Sequence, residues 1–176
     1  MLGLVAEQQG DLFGLLAFSD RVQRFVRAKS GRGHFSGCRD ALYTLQPESA
    51  SPNYDELFTF VRLRLRRRAL LLVLTSLDDP VLVESFTRNA ELIGRHHLVL
   101  VNMLRPAGAH PLFSEPATES VDAIYEQLGG HVQWHNLREL GKVLQRQGVQ
   151  FAQLEDETMA ATLVTQYMNV KQKQLL

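Results

Sequence analysis

The segment "LLLVLTSLDDP", Leu70–Pro80, runs an apolar strand directly into Thr75, Ser76, Asp78 and Asp79. In α/β proteins ligands sit beyond the carboxyl ends of parallel strands. Hydroxyl and carboxylate oxygens are also what Mg²⁺ takes into its octahedral shell, with one or two carboxylates and several waters. The same residues make an ordinary helix start. Asp79 can accept from first-turn amides, and Pro80 suits the first helical position, where its missing N–H costs little. On spacing alone capping is the simpler reading, and a metal would need further ligands from elsewhere.

Other residues invite a chemical reading. His131 and His135, four apart, could share a helical face towards zinc, and His96 and His97 are adjacent, but no HExxH motif accompanies them. Ser19 and Asp20 with a histidine could form a hydrolase triad, yet no GxSxG elbow frames the serine. "SGRGHF", residues 30–35, could offer backbone amides to a phosphate, but it has neither the dinucleotide nor the P-loop spacing, and a hairpin exit is the default. "RLRLRRR", Arg62–Arg68, could meet nucleic acid or anionic lipid; at a helix C-terminus the same cations complement the helix dipole and form a solvated face. The single Cys38 has no partner within the chain and reads as structural.

These residues must be held by elements. Met1–Gln9 reads as the end of an amphipathic helix closed by Gly10. "DLFGLLAFSD" and "RVQRFVRA" read as two strands joined in a hairpin through Ser19–Arg21. After "SGRGHF" as a turn, Phe35, Cys38, Leu42 and Leu45 recur at helical spacing up to Pro47. A helix from Asn53 carries Leu57, Val61 and Leu65 and must stop near Arg67, because "ALLLVL" is a buried strand. A helix from Asp79 carries Val83, Phe86, Ala90 and Ile93, and "HLVLVNML" is the next buried strand. A helical region over 119–147 should be interrupted at Gly129–Gly130, before the strand "VQFAQLE" and a last helix over 158–171.

Strands alternating with helices indicate α/β architecture with a mostly parallel sheet, and no repeat or second domain is evident. With 176 residues, 45% of them hydrophobic, the chain can bury a sizeable core. Lys+Arg and Asp+Glu both number 19, which removes the basic surplus that nucleic-acid binding normally requires. The longest apolar runs are too short to span a bilayer, and "MLGLVAEQQGD" lacks the pattern of a signal peptide, so the segment is expected to be soluble.

The order and wording of "QGDLFGLLAFSDRVQRFV", "GCRDALYTLQPE", "RLRRRALLLVLTSLDDP", "RHHLVLVNMLR" and "MAATLVTQYMNVKQKQ" resemble the bacterial "domain of unknown function 58" family, itself similar to von Willebrand factor A domains. The resemblance implies a Rossmann-like α/β fold, a mostly parallel sheet with helices on both faces, present here as one partial, N-terminally truncated domain over 1–176. It implies a non-enzymatic protein-interaction module, cytoplasmic, working beside a MoxR-type AAA+ ATPase and associated with the membrane through a region outside this chain.

The family's strand ends can carry a metal-ion-dependent adhesion site. Its Asp-x-Ser-x-Ser motif follows a first, central strand, and this chain begins after that point. The second ligand, a threonine, falls near Pro52, with Ser51 and Asn53 close by; the third, an aspartate, falls on Ser76. The resemblance therefore implies an incomplete site, no cofactor of its own, and Mg²⁺ only if an upstream segment supplies the missing ligands. Ser51, Asn53, Thr75, Ser76, Asp78 and Asp79 become an interaction surface for a protein partner, with no nucleic acid and no membrane span. The missing strand leaves "LFGLLAF" and "ALLLVL" without a shared neighbour, from which a homodimer is expected. The alternative is a small metal-dependent enzyme or hydrolase using the same strand-end cluster.

Overall fold

Leu2–Gln8 form α1, and the chain turns out of it at Gly10, whose φ of 74° suits a residue without a Cβ. This computed structural model describes residues 1–46, 50–77, 79–112, 114 and 120–173. They form two compact units, Met1–Arg67 with Glu157–Leu176, and Arg68–Asp156.

In the first unit β1 (Phe13–Phe18) and β2 (Val22–Lys29) pair antiparallel, turning through Ser19–Arg21 as the sequence predicts. The register shifts beside Gly14, where a Cβ would lie 2.9 Å from Ala28 N and Val26 O; glycine lets the strands close over the irregularity. The helix α2 (Arg32–Tyr43) begins inside "SGRGHF", earlier than its apolar spacing suggests. Gly31, at φ 106°, makes the bend, and Gly33 already belongs to the first turn. Pro47, expected to end this helix, lies outside the described residues.

The helix α3 (Tyr54–Arg64) is capped by Asn53, whose Oδ1 accepts from Glu56 N at 3.1 Å. Phe18 meets Tyr54 and Phe25 meets Phe60, with ring centroids 6.0 and 5.1 Å apart, which docks α3 on the hairpin. The helix stops at Arg64 rather than near Arg67, because Leu65 is already extended; Arg66, Arg67 and Arg68 follow it as exposed residues. The last helix, α6 (Met159–Gln172), buries Leu163, Tyr167 and Val170.

In the second unit β3 (Leu70–Leu74), β4 (Leu98–Leu104) and β5 (Gln150–Leu154) form a parallel sheet in that order. Central β4 is buried from Val99 to Met103, as a strand flanked on both edges requires. The crossovers are α4 (Pro80–Gly94), which buries Phe86, Ala90 and Ile93, and α5 (Val121–Arg146). The helix α4 packs on β4, α5 on β5, and the two helices on each other.

Gly129–Gly130 does not interrupt α5. The pair serves close approach instead: a Cβ on Gly130 would collide with the carbonyl oxygen of Gly108, in the loop that crosses the helix. Glu119, the expected helix start, lies outside the described residues. The chain is thus mixed α/β, with its hairpin and its three-stranded parallel ladder forming separate sheets. Among the described residues no helix is long and apolar enough to cross a membrane.

Candidate functional site

The carboxyl ends of β3, β4 and β5 form one rim in the second unit. Leu74 pairs with Asn102, and Asn102 with Ala152, so Asn102 stands at the centre of that rim, and its side chain is fully buried. Thr75 extends the β3–β4 ladder, its N–H donating to Asn102 O at 3.0 Å. Ser76 is exposed, and Leu77, 2% exposed, anchors the turn from below. Asp79 is exposed, and its Oδ1 accepts from Val81 N at 2.7 Å. It caps α4, with Pro80 in the first turn, as the simpler sequence reading holds. Asp78 lies outside the described residues.

Thr75, Ser76 and Asp79 therefore share one strand end. Ser51 and Asn53 belong to the first unit, both exposed, just before α3. The Asn53 carboxamide oxygen is taken by its cap bond, and its backbone N–H donates to Ser19 O at 2.9 Å. Among the described residues no three His, Cys, Asp or Glu side chains come together as a metal-holding group.

The rim continues onto residues that the sequence reading passes over. Arg105 and Glu155 leave β4 and β5 side by side, Arg105 N donating to Leu154 O at 2.9 Å and the guanidinium lying 3.4 Å from the Glu155 carboxylate. They flank a cleft of about 480 Å³ between the loop 105–110 and the segment 154–156, with half-exposed Leu104 in its lining. The loop turns through Pro106–Ala109, Ala109 N donating to Pro106 O at 3.2 Å with Gly108 at φ 80°, the third-position geometry that favours glycine. A weak signal for this rim is in the sequence: Asn102 is the lone polar residue of "LVLVNML", and a buried polar residue is more informative than an exposed apolar one.

Side chains that mimic reactive pairs are otherwise engaged. Ser19 Oγ donates to Asp20 at 2.9 Å and accepts from Gln23 at 3.1 Å within the hairpin turn. His34 Nε2 lies 2.8 Å from Phe13 O and 3.6 Å from Cys38 Sγ. A carbonyl only accepts, so Nε2 carries the hydrogen and cannot take the thiol proton. Cys38 is 2% exposed, and burial pushes its thiol up, away from the reactive thiolate.

Ser114 Oγ gives its hydrogen to Pro111 O at 2.6 Å, which leaves it an acceptor towards His110 Nδ1 at 3.2 Å. His131 Nδ1 accepts from Leu112 N at 3.1 Å, fixing the loop to α5, while His135 on the same helix is exposed. Neither arrangement presents an activated nucleophile.

The family model described as "Protein of unknown function DUF58" matches residues 1–111 of the 176, and the chain belongs to that family. No curated protein and no solved structure matches it.

Proposed function

Starting from this DUF58 membership, we propose that the chain is a von Willebrand A-like, Rossmann-like domain acting as a non-enzymatic protein-interaction module. The strand-end rim of β3–β5 is its docking surface, and a MoxR-type AAA+ ATPase, as the resemblance implies, is the partner, met in the cytoplasm. Ser51 and Asn53, exposed in the first unit, are taken by themselves as binding residues of that unit. The domain needs no metal or cofactor of its own, and it does not act on nucleic acid.

The observation that carries this reading is the make-up of the rim. Arg105 and Glu155, opposite in charge and both more than half exposed, stand beside an open cleft with Leu104 in its lining. Polar, oppositely charged groups around a modest apolar centre are how a protein surface gains specificity and register for a partner. A reaction would instead need a nucleophile with a competent base, and the pairs described above are held in turns and caps.

Titration calorimetry of the purified chain against a MoxR-type ATPase from the same genome tests it. Saturable binding is expected, weakened about tenfold or more by Arg105→Glu or Glu155→Arg. Duplex DNA should bind no tighter than about 10⁻⁶ M at physiological salt. Absence of ATPase binding overturns the reading, and turnover of generic esters or phosphates by the purified chain replaces it with the hydrolase alternative.

A further inference from the structure

The chain is neutral overall, but its charge is divided: Lys and Arg outnumber Asp and Glu in the first unit, and the reverse holds in the second. Within the first unit the cations gather where α3 ends. The helix runs along β2 in the strand's own direction, Glu56 Oε1 accepting from Val22 N at 3.2 Å and Phe60 meeting Phe25 with ring centroids 5.1 Å apart. One more helical turn and two more strand residues each advance the chain by about 6 Å. Arg64 and Arg27 therefore stand abreast on the same side of the hairpin, with the Arg64 guanidinium over the Phe60 ring. Arg62 lies in the last turn of α3, and Arg66 and Arg67 follow it. All five are exposed, and among the described residues none pairs with a carboxylate.

The helix dipole explains Arg62 and Arg64, in the last turn, but not Arg66 and Arg67 beyond it or Arg27 on another element. The acids of α3, Asp55 and Glu56, lie at its other end. Among the cations stands Leu63, 70% exposed, on the side of the helix opposite the buried Tyr54, Leu57, Phe58 and Val61.

We propose that this end of α3, with Arg27, is a docking surface for an anionic lipid bilayer, the arginines meeting the headgroups and Leu63 entering the acyl boundary. A bilayer stacks its chemistry in the order the patch requires, anions outermost and hydrocarbon beneath. Five cations fall within the range of about four to eight that such surfaces use. Nucleic acid offers phosphates with no apolar layer under them, and single strands are held by stacking on open aromatic rings. Here Phe60 is already engaged by Phe25 and Arg64. This surface is independent of the role proposed for the strand-end rim.

Co-sedimentation with vesicles of phosphatidylserine in phosphatidylcholine should show binding that is absent on phosphatidylcholine alone. It should fall as salt rises from about 0.1 to about 1 M and the Debye length shrinks from about 10 to about 3 Å. Arg66→Gln combined with Arg67→Gln should weaken it about 25-fold, about fivefold for each charge, with an unchanged thermal midpoint. Leu63→Trp should bind at least as tightly, and its added fluorescence should shift to the blue on the vesicles. Tyr43→Trp should show no such shift. Tyr43 is also exposed, but it sits on α2, which covers the other face of the hairpin: Arg24, the neighbour of Phe25 on β2, reaches Thr44 there. No binding to phosphatidylserine vesicles, binding indifferent to the arginine pair, or equal blue shifts at positions 63 and 43 overturns the proposal. Tighter binding of the same arginines to poly-glutamate or to duplex DNA than to the vesicles also overturns it, and assigns the patch to an acidic protein or to nucleic acid.

Discussion

Tyr167 on α6 donates its phenolic hydrogen to the Asp11 carboxylate, 156 residues earlier in the chain. Lys171, one turn further along α6, reaches the same oxygen at 2.7 Å and Gln9 O at 3.0 Å. Three polar contacts thus hold the last helix to the short segment between α1 and β1. Burial alone would raise the Asp11 carboxyl, but the hydrogen bonds from Lys171 and Tyr167, with the Lys171 charge, outweigh it and hold Asp11 below its ordinary value. Burial, then the bond to Asp11, push the Tyr167 phenol well up.

Tyr167→Phe and Asp11→Asn should each lower stability by about 1 kcal/mol at pH 7, the carboxylate's partial exposure keeping the charged bond from being worth more. A depressed folded-state value means that the folded chain binds fewer protons than the unfolded one. The Asp11 contribution is therefore complete above the ordinary aspartate range, near pH 4, and is lost as pH falls through the folded value. Urea unfolding at pH 7 and pH 3 checks this: the advantage of wild type over Asp11→Asn should shrink on acidification, and a constant gap contradicts it.

His97, just before β4, is 5% exposed with Nδ1 unpartnered. Burial, helped by the neighbouring His96 charge, lowers its pKa. The folded state therefore resists the proton that the unfolded chain takes up near pH 6.5, and stability falls as pH drops from there towards the folded value. His97→Leu removes both the orphaned nitrogen and the titration. It should leave stability at pH 7 within about 0.5 kcal/mol or raise it, and flatten the decline between about pH 7 and 5.5. Thermal midpoints across that range decide it, and an equally steep decline in the variant refutes the assignment.

Patterns that depend on near neighbours were readable from the sequence. The hairpin through Ser19–Arg21, the helix starting from Asn53, the cap at Asp79, and the apolar stripe of Phe86, Ala90 and Ile93 all follow from local spacing. What was not readable is tertiary. Gly129–Gly130 looks like a break until the Gly108 carbonyl is seen crossing it. Arg105 and Glu155 are fifty positions apart in number and meet only through the β4–β5 register. Asp79 was ambiguous for a chemical reason, since a carboxylate suits a metal and an amide-bearing helix start equally well; the Val81 N–H bond identifies the role it fills here.

The glycine pair of α5 makes a contrast within one turn. Gly129→Ala adds a methyl to open space in a helix interior and should raise stability by about 1 kcal/mol through helix propensity. Gly130→Ala drives the same methyl into the Gly108 carbonyl, so the loop must shift, at a cost of about 1–3 kcal/mol. Chemical denaturation of the two variants checks the pair, and equal effects contradict the crossing of loop and helix.

The strand-end aspartate gives the sharpest test of structural against metal-binding roles. Asp79→Ala removes the acceptor for Val81 N and should destabilise the chain by about 1 kcal/mol, whereas Asp79→Ser and Asp79→Asn, which keep an oxygen for that amide, should retain most of it. A metal ligand behaves differently: neither the hydroxyl nor the carboxamide brings the carboxylate charge that Mg²⁺ favours. Thermal midpoints of all four proteins, measured with and without millimolar Mg²⁺, separate the roles. Cap behaviour gives an ordering of wild type, Asn and Ser together above Ala, unchanged by the ion. A midpoint that rises with Mg²⁺ in wild type alone would show that Asp79 holds a cation, and the strand end would then have to be read as a metal site.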